Sequence, residues 1–195
     1  MSRGPIVENK IKIYKPERKR IDKFVEARVN ADTTLYSQRG GFKEIDILTG
    51  ALAEEAVYQF LRKFKFKVNK PDFTIHTKKQ KSYAGDLTDG KRCFHVKGQN
   101  MESAKRYGDS WLMQRYDPLV KGKDAASNNY IVPCTVDTKK NTVIIHGIFT
   151  FGYLHKHDLF MDCKVPWFNK TKCAIYGENL PSRNAFRMLW KGKDQ

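Results

Sequence analysis

Three side chains able to do chemistry lie close together in the stretch Lys81 to Gln99, KSYAGDLTDGKRCFHVKGQ: Asp86, His95 and Lys97. A carboxylate binds hard cations, an imidazole exchanges protons near neutral pH, and an ammonium stabilises developing negative charge. What must position them is a hairpin. Thr88-Asp89-Gly90-Lys91 carries an Asp-Gly pair that tolerates positive φ, and β-forming residues flank it. Strand alternation then puts Phe94 and Val96 on one face, toward a core, and Cys93, His95 and Lys97 on the other, toward solvent. Gln99 has the phase to reach the same polar side, and Asp86 reaches it from across the turn.

The elements around the hairpin follow from periodicity. From Ile47 to Phe64 the apolar residues Ala53, Val57, Phe60, Leu61 and Phe64 recur at helical steps, predicting a core helix. Glu54 borders its apolar stripe, in line with Gly50, Val57 and Leu61. Glu55 falls beside Tyr58, Gln59 and Arg62, on what should be the wetter side. Phe64 to Val68 (FKFKV) alternates as a strand does, and a turn at Asn69-Lys70-Pro71 leads into a second strand segment, Asp72 to His76. A helix is expected over Asp109 to Val120, ended or kinked by Pro118. Tyr130 to Val136 and Thr142 to Phe151 are expected to form an antiparallel pair of strands. Upstream, residues 1 to 45 form a basic extension with one amphipathic helix, in which Pro16 suits the first turn and Ile21, Phe24 and Val25 share a face. Its Arg18, Lys19, Arg20 and Lys23 are either a solvated face or a clamp on a nucleic-acid backbone.

Composition narrows the partners. The 195 residues carry 37 Lys+Arg against 21 Asp+Glu, a net charge of +16, which favours polyanions. Between Arg62 and Lys97 stand eleven lysines and arginines against three aspartates, so half of the surplus surrounds the hairpin. Hydrophobic residues make up 40 %, enough for a core. No apolar run approaches the length of a spanning helix, no lipidation motif occurs, and the N-terminus lacks a secretory h-region. Cys93, Cys134, Cys163 and Cys173 are widely spaced, as in a reduced chain. An intracellular, cytoplasmic protein without a membrane partner is the expectation. His155, His157, Cys163 and Cys173 have the ligand types for zinc, although their spacing matches no familiar knuckle.

The resulting order of helix, strand, strand, strand, helix, strand, with Gly50-Ala51-Leu52-Ala53-Glu54 on the helix, Gly85-Asp86 on a strand and His95-Val96-Lys97 on the next, resembles the PD-(D/E)XK nuclease superfamily over about residues 47 to 136. The resemblance implies an α/β fold: a restriction-endonuclease-like core at 46–152 with a central mixed sheet of four to five strands flanked by helices. A basic N-terminal addition at 1–45 and a C-terminal addition packed on the core at 153–195 complete it. It also implies a metal-dependent nuclease, most simply a DNA endonuclease, with Mg²⁺ or Mn²⁺ held by Asp86, Glu54, His95 and the Val96 carbonyl. Lys97 would stabilise charge, and Gln99 would orient water or phosphate. Asp72 competes with Asp86 as the strand aspartate. The triplet departs from the pattern in having His95 where an acid is expected, which removes a negative charge and suits manganese better than magnesium. That leaves His95 as ligand or base, or else a domain that binds nucleic acid without cutting it. Lys78, Lys79, Lys81, Lys91 and Arg92 are the candidates for backbone contacts, with DNA favoured over RNA as the partner; an RNA endonuclease and a homodimer both stay open.

Overall fold

The structure is a computed structural model that describes residues 9–31, 43–75, 85–122 and 128–181. Helix α1 (Lys15–Asn30) opens with Pro16 in its first turn, and helix α2 (Lys43–Lys63) follows. Ile21 and Val25 of α1 are buried, and Phe24 packs partly beside them. The end of α2 is a Schellman motif. Lys65 sits at φ 64°, its N–H donates to Arg62 O, and Phe66 N–H reaches back to Leu61 O.

The main sheet is mixed and takes its strands from across the chain. It runs β1 (Lys10–Lys12), β6 (Thr142–Ile145), β5 (Asn129–Asp137), β3 (Cys93–Asn100), β2 (Leu87–Thr88), with β7 (Phe149–Thr150) pairing the start of β5. Strands β3 and β5 are parallel, Lys97 opposite Pro133, while the other pairs are antiparallel. Helices α1 and α2 cover one face, burying Ile13, Ile21, Leu52, Val57, Leu61, Phe94 and Val96 in a single core. Strand β1 and helix α1 therefore contribute to that core from within residues 1–45. A smaller ribbon of β4 (Ser110–Gln114) and β8 (Lys172–Tyr176) lies with the short helix α4 (Phe151–Lys156) around a second core containing Trp111, Met113, Ile131, Phe149 and Phe151. The fold is thus α/β, a curled mixed sheet of about five strands flanked by helices.

Several expectations change. Residues 64–68 and the described part of 72–76 are not strands. Phe66 and Val68 are buried and alternate with exposed Lys65 and Lys67, as alternation predicts, but among the described residues no strand lies alongside. The segment is fastened to β2 at Asn69, whose N–H donates to Thr88 O and whose side chain accepts from Thr88 N–H. Alternation reports burial on one side; it does not supply a hydrogen-bonding partner. The helix expected over Asp109 to Val120 is strand β4 followed by turns, and the helix lies earlier, α3 (Met101–Tyr107), ending at Gly108 with φ 77°. Trp111 and Met113 are buried while Leu112 and Gln114 are exposed, a period of two that the large apolar side chains disguised. The pair β5 and β6 is antiparallel as expected, but the run to Phe151 breaks at 146–148 before β7 and α4. Glu55 is not on the wet side: it is buried, held by the Arg20 guanidinium of α1 and by Gln59 Nε2 at 3.0 Å. Helix α1 covers the face of α2 that the sequence left to solvent.

Candidate active site

The hairpin forms where it was expected, with Gly90 at φ 85°. Its turn is organised by Asp89, whose carboxylate accepts the N–H groups of Lys91 (3.1 Å) and Arg92 (2.8 Å) and the Arg92 guanidinium (2.8 Å). Burial alone would raise the Asp89 carboxyl, but these bonds from Arg92 and Lys91 together hold it below its ordinary pKa. Arg92 also lies over the Phe66 ring, 4.5 Å from its centroid, so it is committed to the hairpin. Lys91 is exposed at the tip. Lys78, Lys79 and Lys81 lie outside the described residues.

Strand β2 covers only Cys93 and Phe94 of β3. At the next position on that edge Asp86 takes over, its Oδ2 accepting the Val96 N–H at 2.7 Å. Gly85 makes the approach feasible: a Cβ there would stand 3.0 Å from Cys93 Cβ and 3.1 Å from Phe94 N. On the core face of the same strand Gly98 admits α2, since a Cβ would lie 3.1 Å from Thr49 O and 3.2 Å from Ala53 Cβ. The close approach sets Glu54, the residue after Ala53, beside this edge.

Glu54 keeps some exposed surface, yet protein surrounds its carboxyl closely enough to push its pKa up to about 8. Burial is the largest cause, and the charge of Asp86 is next. Arg28 of α1 and Lys97 oppose the rise, and Asp72 adds to it. Glu54, Asp86 and Lys97 therefore share one electrostatic environment, although they come from three segments. Asp72, the competing aspartate, lies in the same field; its Oδ1 accepts Thr74 N–H at 2.9 Å. Arg28 belongs to no motif in the sequence. The signal was available, since Arg28 lies four residues after Phe24 and seven after Ile21 and so shares their helix face.

His95 and Gln99 are engaged elsewhere. His95 Nε2 lies 3.2 Å from Asn129 Oδ1 and its ring meets Phe151 edge-on, so the polar side of β3 is partly covered by the second core around His95. Gln99 donates to Gly108 O (3.0 Å) and Ser110 Oγ (3.2 Å) and accepts Ser110 N–H (2.9 Å), a brace between β3 and β4 that ties up its amide. Of the zinc candidates, His155 Nε2 is 2.8 Å from Leu119 O, and the His157 ring lies against Tyr153.

Among the described residues no three His, Cys, Asp or Glu side chains gather into a group that could hold a metal. The carboxylates that interact electrostatically here are Glu54 and Asp86, while His95 is turned to Asn129. Mg²⁺ is commonly bound through one or two carboxylates with water and substrate phosphate completing its octahedron, so this pair fits it on donor chemistry. A cation there would also favour the ionised form of Glu54, which the fold alone disfavours. No family model, curated protein or solved structure matches this chain.

Proposed function

We propose that this protein is a divalent-metal-dependent phosphodiesterase of the PD-(D/E)XK type, cutting DNA on a restriction-endonuclease-like core. The observation that carries the reading is the Asp86 carboxylate held on the edge of β3 by the Val96 N–H at 2.7 Å, in the field of Glu54, whose carboxyl burial and Asp86 push up and Lys97 opposes. Two residues from separate motifs, Asp86 and Lys97, act electrostatically on Glu54, at the edge where Asp86 bonds to β3. In this reading Asp86 and Glu54 would hold Mg²⁺ or Mn²⁺, and the ion would supply Lewis-acid polarisation of phosphate and of a bound water. Lys97 stabilises the charge that develops on phosphate oxygens, and Arg28 adds positive charge from α1. The Val96 N–H fixes the Asp86 carboxylate before substrate arrives.

The test is nicking of a supercoiled plasmid with Mg²⁺ or Mn²⁺. Wild type should cut, and Asp86→Asn, Glu54→Gln and Lys97→Ala should each lose about a hundredfold or more in rate, the usual scale for losing charge stabilisation. Their binding of duplex DNA should stay close to that of wild type. A wild type that binds duplex but cuts no duplex, branched or single-stranded DNA removes the enzymatic reading. The second reading, a nucleic-acid-binding protein without catalysis, is favoured by one observation: His95 is turned to Asn129 and Phe151, leaving two carboxylates where the pattern has three ligands. RNA cleavage would use the same residues and is separated from DNA cleavage by substrate alone.

A further inference from the structure

Helix α1 starts at the sheet edge opposite the candidate site. There Ile13 N–H donates to Asn141 O at 2.8 Å, and the Arg18 guanidinium holds the Asn141 side chain and Thr138 O. The Lys12 ammonium donates to Lys140 O. These bonds bolt the start of α1 to the β5–β6 turn and gather Lys12, Lys15, Lys19, Lys139 and Lys140 into one corner, all exposed. The neighbouring acids are already engaged or set back. Asp22 pairs with Arg18 at 2.7 Å, Asp137 accepts Lys140 N–H at 2.9 Å, and Glu17 is half-buried. Tyr14 stands in the middle, 68 % exposed.

These exposed ammonium groups contribute nothing to the core, and of the five Lys140 reaches an acid, Asp137 Oδ2 at 4.0 Å. Among the described residues Lys15, Lys19 and Lys139 take part in no ion pair. A surface of this kind complements a row of phosphates. Helix α1 sets the scale of its separation from the site: from Lys15 to Arg28, whose charge acts on Glu54, the helix rises about 20 Å at 1.5 Å per residue. That is roughly six steps of a DNA strand at 3.4 Å each. A duplex of ordinary length is long enough to span it.

We propose that this corner is a second docking surface, which grips the phosphate backbone of a DNA duplex about half a helical turn from the Glu54–Asp86 site. The inference rests on the reading of DNA as partner but not on cutting. It is tested with Lys15→Gln, Lys19→Gln and Lys139→Gln combined, leaving the Arg18 anchor intact, and with a control triple on other surfaces, Lys105→Gln, Lys156→Gln and Lys170→Gln. Binding of a labelled 30-base-pair duplex is measured across a salt series, with circular dichroism confirming the fold. The corner triple should weaken binding about tenfold or more near 0.1 M salt and lower the salt slope by about 3, one for each phosphate that a lysine no longer neutralises. The control triple should change both much less. Equal losses in the two triples would mean diffuse attraction by net charge, and undiminished binding by the corner triple would mean that DNA does not touch it; either overturns the proposal. A wild type that cuts DNA while the corner triple binds normally overturns the corner alone. A wild type that binds duplex through the corner without cutting overturns only the enzymatic reading.

Discussion

The Asp86 carboxylate accepts the Val96 N–H at 2.7 Å, so a side chain stands where a neighbouring strand would otherwise supply a carbonyl. The bond fixes a carboxylate at the edge of β3 just beyond the end of β2, and Gly85 is what lets the chain come close enough to make it. Gly85→Ala should force Asp86 away from Val96. The expected cost is about 1–3 kcal/mol, the usual range for overpacking, measured by urea unfolding. Plasmid nicking should fall much further than stability does. Unchanged stability and nicking would show that the backbone absorbs the methyl.

Glu54 makes stability depend on pH in a defined direction. Its folded pKa of about 8 lies above the ordinary 4.5, so between these values the native state holds a proton that the unfolded chain releases. Its contribution to stability is therefore greatest below the unfolded pKa and declines as pH rises toward 8. Glu54→Gln should remove that decline, so the variant gains on wild type at pH 8.5 relative to pH 5 in urea melts. Adding Mg²⁺ at pH 8.5 should stabilise wild type and leave the Gln variant nearly unaffected.

The ion pair between Arg20 and Glu55 joins α1 to α2, with Glu55 buried and Arg20 partly exposed. Arg20→Met strands a buried carboxylate that, among the described residues, keeps Gln59, and the expected loss is about 3 kcal/mol. Adding Glu55→Met should recover most of it, because an apolar pair of similar volume needs no desolvation of charge. Denaturant melts of the single and double variants give the coupling directly.

His95 lies 3.2 Å from Asn129 Oδ1 and packs edge-on against Phe151. His95→Ala should cost about 1–2 kcal/mol by removing its interactions with Asn129 and Phe151. Titration calorimetry with Mn²⁺ should give the same affinity for variant and wild type. Loss of metal binding at unchanged stability would instead make the imidazole a ligand.

The thiols should differ in reactivity. Burial pushes the Cys134 thiol far up, raises Cys163, and takes Cys173 up to about 11, while Cys93 is only half-buried. Native alkylation at pH 8 followed by mass spectrometry should label Cys93 first and Cys134 last.

The linear pattern was sufficient wherever one residue type forces a local conformation or a long stripe must be buried. The Asp-Gly turn, the inward face of Phe94 and Val96, the long helix bearing Glu54 and the antiparallel pairing of β5 and β6 are all local consequences of φ preferences and periodicity. Tertiary packing decided what periodicity cannot reach: that α1 would bury Glu55, that Arg28 would enter the field of Glu54, that FKFKV would lack a strand partner, and that His95 and Gln99 would be drawn to Asn129 and Ser110. A pattern of alternating side chains specifies which direction each one points, but what waits there is brought by segments distant in the chain.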